Sequence, residues 1–176
     1  MGDMTRLKVA IVDDDPMMLK LVQLMLEQME GIEIYTYPTG EDLIADIETN
    51  KPDILVSDYW LNSRASQAMS GMELVKTLRT IIADLPVIMI SSQKDLEVAL
   101  ELIKLKVVDY IEKSDDFARK VEISVREVKS MILLNREIEL TQNSILKDRK
   151  HLQRVGLAFL AGVLITLAIL YFDWFM

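Results

Sequence analysis

Residues 7–15, LKVAIVDDD, form the stretch that decides the fold. A short apolar run rich in Val and Ile leads directly into three consecutive carboxylates. Such a run, bounded by polar turn residues, predicts a fully buried β-strand. Pro16 follows and suits the first turn of a helix, because its missing N–H needs no partner there. The stretch therefore predicts a buried strand, a polar loop and a helix, which is the beginning of an α/β unit.

The same alternation continues along the chain. Further strands are predicted at residues 32–35, 54–58, 86–90 and 107–111. Helical apolar patterns separate them: one ends at Gly31, one begins after a Thr39 cap, one opens at Gly71, and one covers residues 96–105. Five short apolar strands between helices indicate an α/β fold in which helices cover both faces of a parallel sheet.

Four of the predicted strands end in polar or charged residues. The first ends at Asp13, the third at Asp58, the fourth at Ser91 and the fifth near Lys113. In parallel sheets, sites form at the carboxyl ends of the strands. Taken singly, each residue also fits a structural role as a turn former, a helix cap or a solvated surface group. Together they predict one site at one edge of the sheet.

The chemistry of this set is that of phosphoryl transfer. Clustered carboxylates repel each other unless a cation joins them, and hard oxygen ligands with open positions suit Mg²⁺. A carboxylate can attack phosphorus and form an acyl phosphate. Lys113 can offset charge on the transferred group, and the Ser91 hydroxyl can donate a hydrogen bond to it.

Four motifs carry a family resemblance: Val12-Asp13-Asp14, Ser57-Asp58, Ile90-Ser91 and Tyr110-Ile111-Glu112-Lys113. Over roughly residues 6–130 the chain resembles the receiver domain of two-component response regulators. The resemblance implies a flavodoxin-like (βα)5 fold with a parallel five-stranded sheet in the order 2-1-3-4-5. A long C-terminal helix and one transmembrane helix are expected to follow it.

The resemblance also implies the roles of the acidic residues. Asp58 matches the phosphorylation site, and Asp13 and Asp14 match the acidic pair that binds Mg²⁺ together with Asp58. The main-chain carbonyl of Trp60 matches a further metal ligand. The chain is therefore expected to be a phosphoacceptor with possible self-dephosphorylation, and not an enzyme.

Three other positions complete the implied site. Ser91 matches the switch hydroxyl, Lys113 the phosphate-binding cation, and Tyr110 an aromatic switch residue that is otherwise an ordinary half-buried strand aromatic. The sequence also departs from the family pattern. Tyr59-Trp60-Leu61 replaces the usual Met-Pro, the loop from Asn62 to Ser70 is longer than usual, and Ser114 replaces the proline that commonly follows the lysine.

A long helical segment follows the predicted receiver domain of residues 1–130. Between residues 131 and 154, apolar positions recur at spacings of three and four, which is typical of a coiled coil. Thr141 and Asp148 interrupt this seam. The segment is interpreted as a helical linker that either forms a parallel homodimeric coil or stays a solvated single helix.

Residues 155–176 are predicted to hold a membrane anchor. Val155–Phe172 is uncharged, apolar and long enough to span a bilayer. Basic residues precede this segment and none follows it, which places the receiver domain in the cytoplasm. The expected location is the inner (cytoplasmic) membrane with a single pass, and the alternative interpretation is a buried core helix.

Composition narrows the classes of partner. The net charge of −8 argues against nucleic acid, and the absence of cysteine excludes disulfides. The expected function is phosphorylation-dependent signalling through protein contact at the membrane. A histidine kinase or phosphotransfer protein would be the donor, and the output protein is not identified. The alternatives are a scaffold that keeps the fold without phosphorylation, or a phosphatase with an aspartate nucleophile. Such phosphatases commonly need a second acid at the position of Trp60.

Overall fold

Five strands alternate with five helices in a computed structural model that describes residues 6–61, 68–92 and 96–175. The elements in chain order are β1 (Leu7–Val12), α1 (Pro16–Leu26), β2 (Ile32–Tyr37), α2 (Gly40–Asp46), β3 (Ile54–Asp58), α3 (Gly71–Ile81), β4 (Val87–Ser91), α4 (Leu96–Lys104), β5 (Asp109–Glu112) and α5 (Phe117–Phe175). The predicted α/β fold is confirmed.

The strands form one parallel sheet in the order β2-β1-β3-β4-β5, which confirms the predicted order. The order reverses between β1 and β3, so the carboxyl ends of these two strands flank a crevice. Register then fixes the neighbours, with Asp58 opposite Ile90 and Ser91 opposite Glu112.

Alternating side chains of the central strands fill two separate cores. On one face, Ala10, Leu55 and Met89 join a cluster with buried leucines of α2, α3 and α4. Their sequence neighbours on the same strands are also fully buried but lie outside this cluster, as do the buried residues of α1 and α5. Since successive strand residues point to opposite faces, helices cover both faces of the sheet.

Side chains cap the N-termini of three helices that follow β1, β2 and β3. The Asp15 side chain accepts a hydrogen bond from the Met17 N–H, with Pro16 in the first turn as predicted. Thr39 caps α2, also as predicted, and Ser70 caps α3. These caps satisfy helix N–H groups that lack partners within the helix.

Two boundaries differ from the prediction: α1 ends at Leu26 and not at Gly31, because residues 27–30 form a turn, and β5 begins at Asp109 and not at residue 107. Lys106, just before it, adopts a positive φ of 55°. The Arg79 guanidinium donates hydrogen bonds to the carbonyls of Leu85, Leu105 and Lys106, and so holds the turn before the strand. The chain therefore turns at residues that the apolar pattern assigned to the strand.

The chain divides into two units between Met131 and Ile132. In the first unit, Val121, Val125 and Val128 of α5 are buried, as the helical pattern predicted. In the second, α5 contains an 18-residue window with a mean hydropathy of 2.0, and none of this window is buried. By length and composition this helix can cross a membrane. Most of the predicted loop, residues 62–67, lies outside the described residues.

Candidate functional site

Three carboxylates meet at the carboxyl ends of β1 and β3. Asp13 and Asp14 follow β1, and Asp58 is the last residue of β3. All three are buried, and one carboxylate oxygen from each lies within 4.8 Å of the other two. The sequence prediction that these residues come together is therefore correct.

Lys113 joins this acidic cluster from the end of β5. Its Nζ lies 3.0 Å from Oδ2 of Asp13 and 3.1 Å from Oδ1 of Asp58. Its side chain is largely buried, so solvent screens these contacts much less than it screens a surface ion pair. The second oxygen of Asp13 accepts a hydrogen bond from the Asp15 N–H at 2.8 Å.

The electrostatics of the cluster follow from burial. Burial, opposed by Lys113 and assisted by the neighbouring Asp13, raises the pKa of Asp58 to about 6. Burial also raises the pKa of Asp13. Burial alone would lower the pKa of Lys113, but Asp58 and Asp13 outweigh it and hold that pKa above its usual value. Lys113 alone thus leaves the three buried carboxylates only partly neutralised.

An unsatisfied oxygen indicates that the cluster suits a further cation. Among the described side chains, Oδ1 of Asp58 is buried and has no hydrogen-bond partner, despite its ion pair with Lys113. Buried polar atoms without partners are costly in a folded protein. Ligand oxygens around Mg²⁺ lie about 3 to 4 Å apart, because its bonds are about 2.1 Å long. The three carboxylates would therefore fit around one Mg²⁺ if their oxygens moved slightly closer together.

Backbone hydrogen bonds bring β4 to the same edge. The Tyr59 N–H donates to the Ile90 carbonyl at 2.8 Å, and the Lys113 N–H donates to the Ser91 carbonyl at 2.7 Å. Ser91 is buried at the end of β4. The main chain after β3 and β5 is thus tied to the end of β4 on both sides.

An aromatic pair follows Asp58 directly. The rings of Tyr59 and Trp60 meet edge to face with their centroids 4.9 Å apart. Trp60 is 44% exposed, whereas Leu61 is buried. An exposed indole in this position can contact a molecule that approaches the acidic cluster.

Gly71 places α3 against the backbone of Asp58. A Cβ on Gly71 would overlap the main-chain oxygen of Asp58 and lie 3.0 Å from its carbonyl carbon. The Gly71 N–H also donates to the Tyr59 carbonyl at 2.9 Å. The sequence predicted a helix start at Gly71 but not this contact. The signal for it was a glycine placed directly where a polar loop meets a helix.

The match to a family model decides the identity of this fold. The model of the response regulator receiver domain matches residues 9–123. This chain belongs to that family. The match confirms the resemblance seen in the sequence. Receiver domains are phosphoacceptors that bind Mg²⁺ through acidic residues, and this chain has a cluster of such residues.

Similar proteins agree with this assignment. The receiver domain is 32% identical over 115 residues to a protein-glutamate methylesterase/protein-glutamine glutaminase from Clostridium acetobutylicum, covering 64% of this chain and 32% of that protein. It is 31% identical to the nitrogen assimilation regulatory protein NtrX from Azorhizobium caulinodans, covering 76% and 29%. The chain thus spans about a third of the length of these curated relatives.

A solved structure supports the fold directly. The signal receiver domain of a Luxo repressor protein from Vibrio parahaemolyticus superposes with a TM-score of 0.67 at 25% identity. The superposition covers 76% of this chain and 98% of that one. The part of this chain that matches is the receiver domain that carries the acidic cluster.

Tyr110 lies on the edge strand β5, three residues before Lys113. It stands opposite Met89 in the register of β5 and β4, and its half-buried ring packs against the core cluster of that face. This position agrees with both sequence interpretations, the switch residue and the ordinary strand aromatic. The switch role of Tyr110 stays a prediction.

Proposed function

We propose that this receiver domain accepts a phosphoryl group on Asp58 and signals by protein contact at a membrane. One observation carries the proposal. The carboxylates of Asp13, Asp14 and Asp58 lie within 4.8 Å of one another, and Lys113 lies 3.1 Å from Asp58. This arrangement provides a nucleophile, a metal site and a fixed cation in one place.

Asp58 acts as the nucleophile. Its carboxylate oxygen attacks phosphorus, an O–P bond forms, and the P–N bond to the imidazole of a phosphohistidine donor breaks. The imidazole leaves with the electron pair and takes up a proton. A histidine kinase or phosphotransfer protein is the donor class that supplies such a group.

Asp13, Asp14 and Asp58, with the main-chain carbonyl of Trp60, are the proposed ligands of Mg²⁺. When bound, this ion neutralises charge on the transferring phosphoryl oxygens. Lys113 holds a second positive charge beside the acceptor oxygen and stays protonated, because its carboxylate partners favour its charged form. The Ser91 hydroxyl is proposed to donate a hydrogen bond to the new phosphoryl group.

The apolar part of α5 supports the membrane component of the proposal. The 18-residue window of this helix has a mean hydropathy of 2.0, and basic residues lie just before it. We place the receiver domain in the cytoplasm and the helix across the cytoplasmic membrane. The exposed apolar seam of residues 131–155 is proposed to pair with a second copy.

The decisive experiment uses the full chain in detergent micelles. The chain is incubated with Mg²⁺ and acetyl phosphate, and its intact mass is measured over time. One added phosphoryl group is expected, and it should be absent after chelation of Mg²⁺ and in Asp58→Asn. Glu48→Gln, which removes an exposed carboxylate outside the acidic cluster, is the matched control and should label like the original chain.

Two other results of this labelling experiment would contradict the proposal. If the original chain stays unmodified while another receiver domain is labelled in the same tube, the proposal fails. The scaffold interpretation, in which the fold is kept without phosphorylation, would then replace it. Labelling that persists in Asp58→Asn would instead move the acceptor to another residue.

A further inference from the structure

Four side chains form a basic stripe on α5. Lys147, Lys150, His151 and Arg154 follow one another at positions i, i+3, i+4 and i+7 of the helix. Residues with this spacing share one face. All four are exposed, so their charged or polar heads are available to a partner. Within the same stretch the chain has one acidic residue, Asp148.

The apolar seam lies on the other side of the helix. Ile145 and Leu152 stand seven residues apart and fall about half a turn away from the basic stripe. They are 61% and 71% exposed. Pairing of the seam with a second copy would therefore leave the basic stripe facing outward, and a single helix would leave it exposed as well.

The stripe has a defined depth relative to the apolar segment. Each polar layer of a bilayer is about 5 to 8 Å thick, which corresponds to about four or five helical residues. Arg154, His151 and Lys150 fall within that distance of Val155. Lys147 lies about 12 Å before Val155 along the helix axis, within reach of the phosphate layer through its long side chain.

We infer that the basic stripe binds the phosphate groups of anionic phospholipids. Lys and Arg give these headgroups charge-assisted hydrogen bonds, and an imidazole N–H can add another. The overall charge of the chain does not explain such binding, because a chain with a net charge of −8 is repelled by an anionic surface. Selectivity for anionic lipid would therefore come from the stripe itself. The inference rests on the membrane anchor in the proposed function.

The test measures lipid selectivity of the full chain. The protein is reconstituted in phosphatidylcholine vesicles that carry a trace of spin-labelled phosphatidylglycerol or spin-labelled phosphatidylcholine. Electron spin resonance gives the association of each label with the protein. We expect phosphatidylglycerol to be favoured about threefold or more at low salt, with the preference falling as NaCl screens the charges.

Two variants make the result specific. Lys147→Gln, Lys150→Gln and Arg154→Gln together should bring the preference close to one. The matched control removes three exposed lysines of the receiver domain, through Lys51→Gln, Lys76→Gln and Lys104→Gln, and should keep the preference. Equal association of both labels with the original chain would overturn the inference, and so would a preference that survives in the stripe variant.

Extraction of the vesicles with alkaline carbonate separates this inference from the anchor itself. A chain that stays with the lipid but shows no selectivity contradicts the inference alone. A chain that is extracted contradicts the membrane anchor, and the inference falls with it. Phosphorylation of Asp58 is measured independently and is not affected by either result.

Discussion

Gly71 and Asp58 are packed main chain to main chain, and no side chain fits between them. A Cβ at residue 71 would overlap the Asp58 carbonyl oxygen and lie 3.0 Å from the Cα of Tyr59. Any residue other than glycine must therefore move the start of α3 or the peptide that follows the phosphoacceptor. The position of the acidic cluster depends on a residue that carries no functional group.

Gly71→Ala should impair both stability and phosphorylation. Forcing a methyl group into a packed site costs about 1–3 kcal/mol, and a shifted Asp58–Tyr59 peptide misplaces the nucleophile and the carbonyl of Trp60. Urea unfolding measures the first effect, and the rate of labelling by acetyl phosphate measures the second. Gly156→Ala is the control, since nothing lies within 4 Å of a Cβ there. Unchanged labelling in Gly71→Ala would show that the contact does not position the site.

Asp58→Asn should stabilise the chain when Mg²⁺ is absent. The pKa of Asp58 is about 6 in the folded chain and about 4 when unfolded, so the folded state binds more protons between these values. The free energy of unfolding therefore falls as the pH rises through this window. Asp58→Asn has no carboxyl group at this position to lose a proton. Its free energy of unfolding should therefore exceed that of the original chain by about 1–2 kcal/mol at pH 7.5.

The pH profile distinguishes this effect from a general change in packing. At about pH 3 and below, the Asp58 carboxyl is largely protonated in both the folded and the unfolded chain, and the amide of the variant is neutral at every pH. The two unfolding curves should therefore converge there. Unfolding is followed in EDTA at several pH values, with Glu48→Gln as the control for loss of one exposed carboxylate. A constant gap across the pH range would contradict the electrostatic explanation.

Lys113→Gln should bind Mg²⁺ more tightly and accept the phosphoryl group more slowly. Nζ of Lys113 lies 3.0 Å from Asp13 and 3.1 Å from Asp58, so it repels a cation bound by the same carboxylates. Its removal should raise Mg²⁺ affinity about 3- to 10-fold. The loss of a fixed charge beside the transferring group should slow labelling by at least about tenfold.

The two effects of Lys113→Gln are measured separately. Mg²⁺ affinity comes from the fluorescence of Trp60, which adjoins the site, in a Trp174→Phe background. The labelling rate is taken at saturating Mg²⁺, so weaker or tighter metal binding does not contribute. Lys104→Gln removes an exposed lysine and should change neither quantity. If both quantities fall together in Lys113→Gln, the lysine supports the metal site and does not compete with it.

The sequence was sufficient for the sheet and for the acidic cluster. Buried strands have short apolar runs, and the carboxyl ends of parallel strands share one edge, so Asp13 and Asp58 had to be neighbours once β1 and β3 were known to be adjacent. Lys113 follows β5, two strands from β3, and reaches both carboxylates through its long side chain. The roles of these carboxylates as Mg²⁺ ligands came from the resemblance to receiver domains, and the clustered oxygens suit such an ion, but the ligand set stays a prediction.

Contacts made through the main chain could not be predicted in this way. Arg79 reaches carbonyls at residues 85, 105 and 106, and nothing in its own neighbourhood of sequence indicates these partners. The contact between Gly71 and Asp58 likewise joins the start of α3 to the end of β3, and no local pattern specifies it. Periodicity locates elements, but it contains no information on which loop carbonyls face one another.

Arg79→Met should destabilise the receiver domain without changing its acidic cluster. The guanidinium of Arg79 donates to three carbonyls in the turns before β4 and β5, and the variant leaves these oxygens without this partner. The expected cost is about 1–3 kcal/mol. Arg79→Lys keeps the positive charge but lacks the planar guanidinium group with its several donors. It should therefore restore only part of the lost stability.

The measurement for Arg79 is urea unfolding of the full chain, with Lys76→Gln as the control. Lys76 is an exposed basic residue of the same helix, so its removal should cost less than about 0.5 kcal/mol. Full stability in Arg79→Lys would show that positive charge alone matters at this position. Equal losses in all three variants would indicate a general effect of charge on α3.

The apolar seam of α5 predicts a specific pattern of cross-links between two copies. The chain has no cysteine, so a single cysteine can be placed at any position. Ile138 and Ile145 lie on the seam and are 45% and 61% exposed in one chain. In a parallel coil, equivalent seam residues face each other, so Ile138→Cys and Ile145→Cys should form disulfide dimers in membranes under mild oxidation.

Positions on the opposite side of α5 provide the contrast. Leu140 is apolar and 58% exposed, yet it lies about half a turn from the seam. Leu140→Cys and Lys147→Cys should therefore remain largely monomeric under the same conditions. Equal cross-linking at all four positions would indicate random collision of single helices and would reject the coil. Cross-linking at the seam positions alone would follow the helical period. Such a pattern would show that two copies meet through a defined interface.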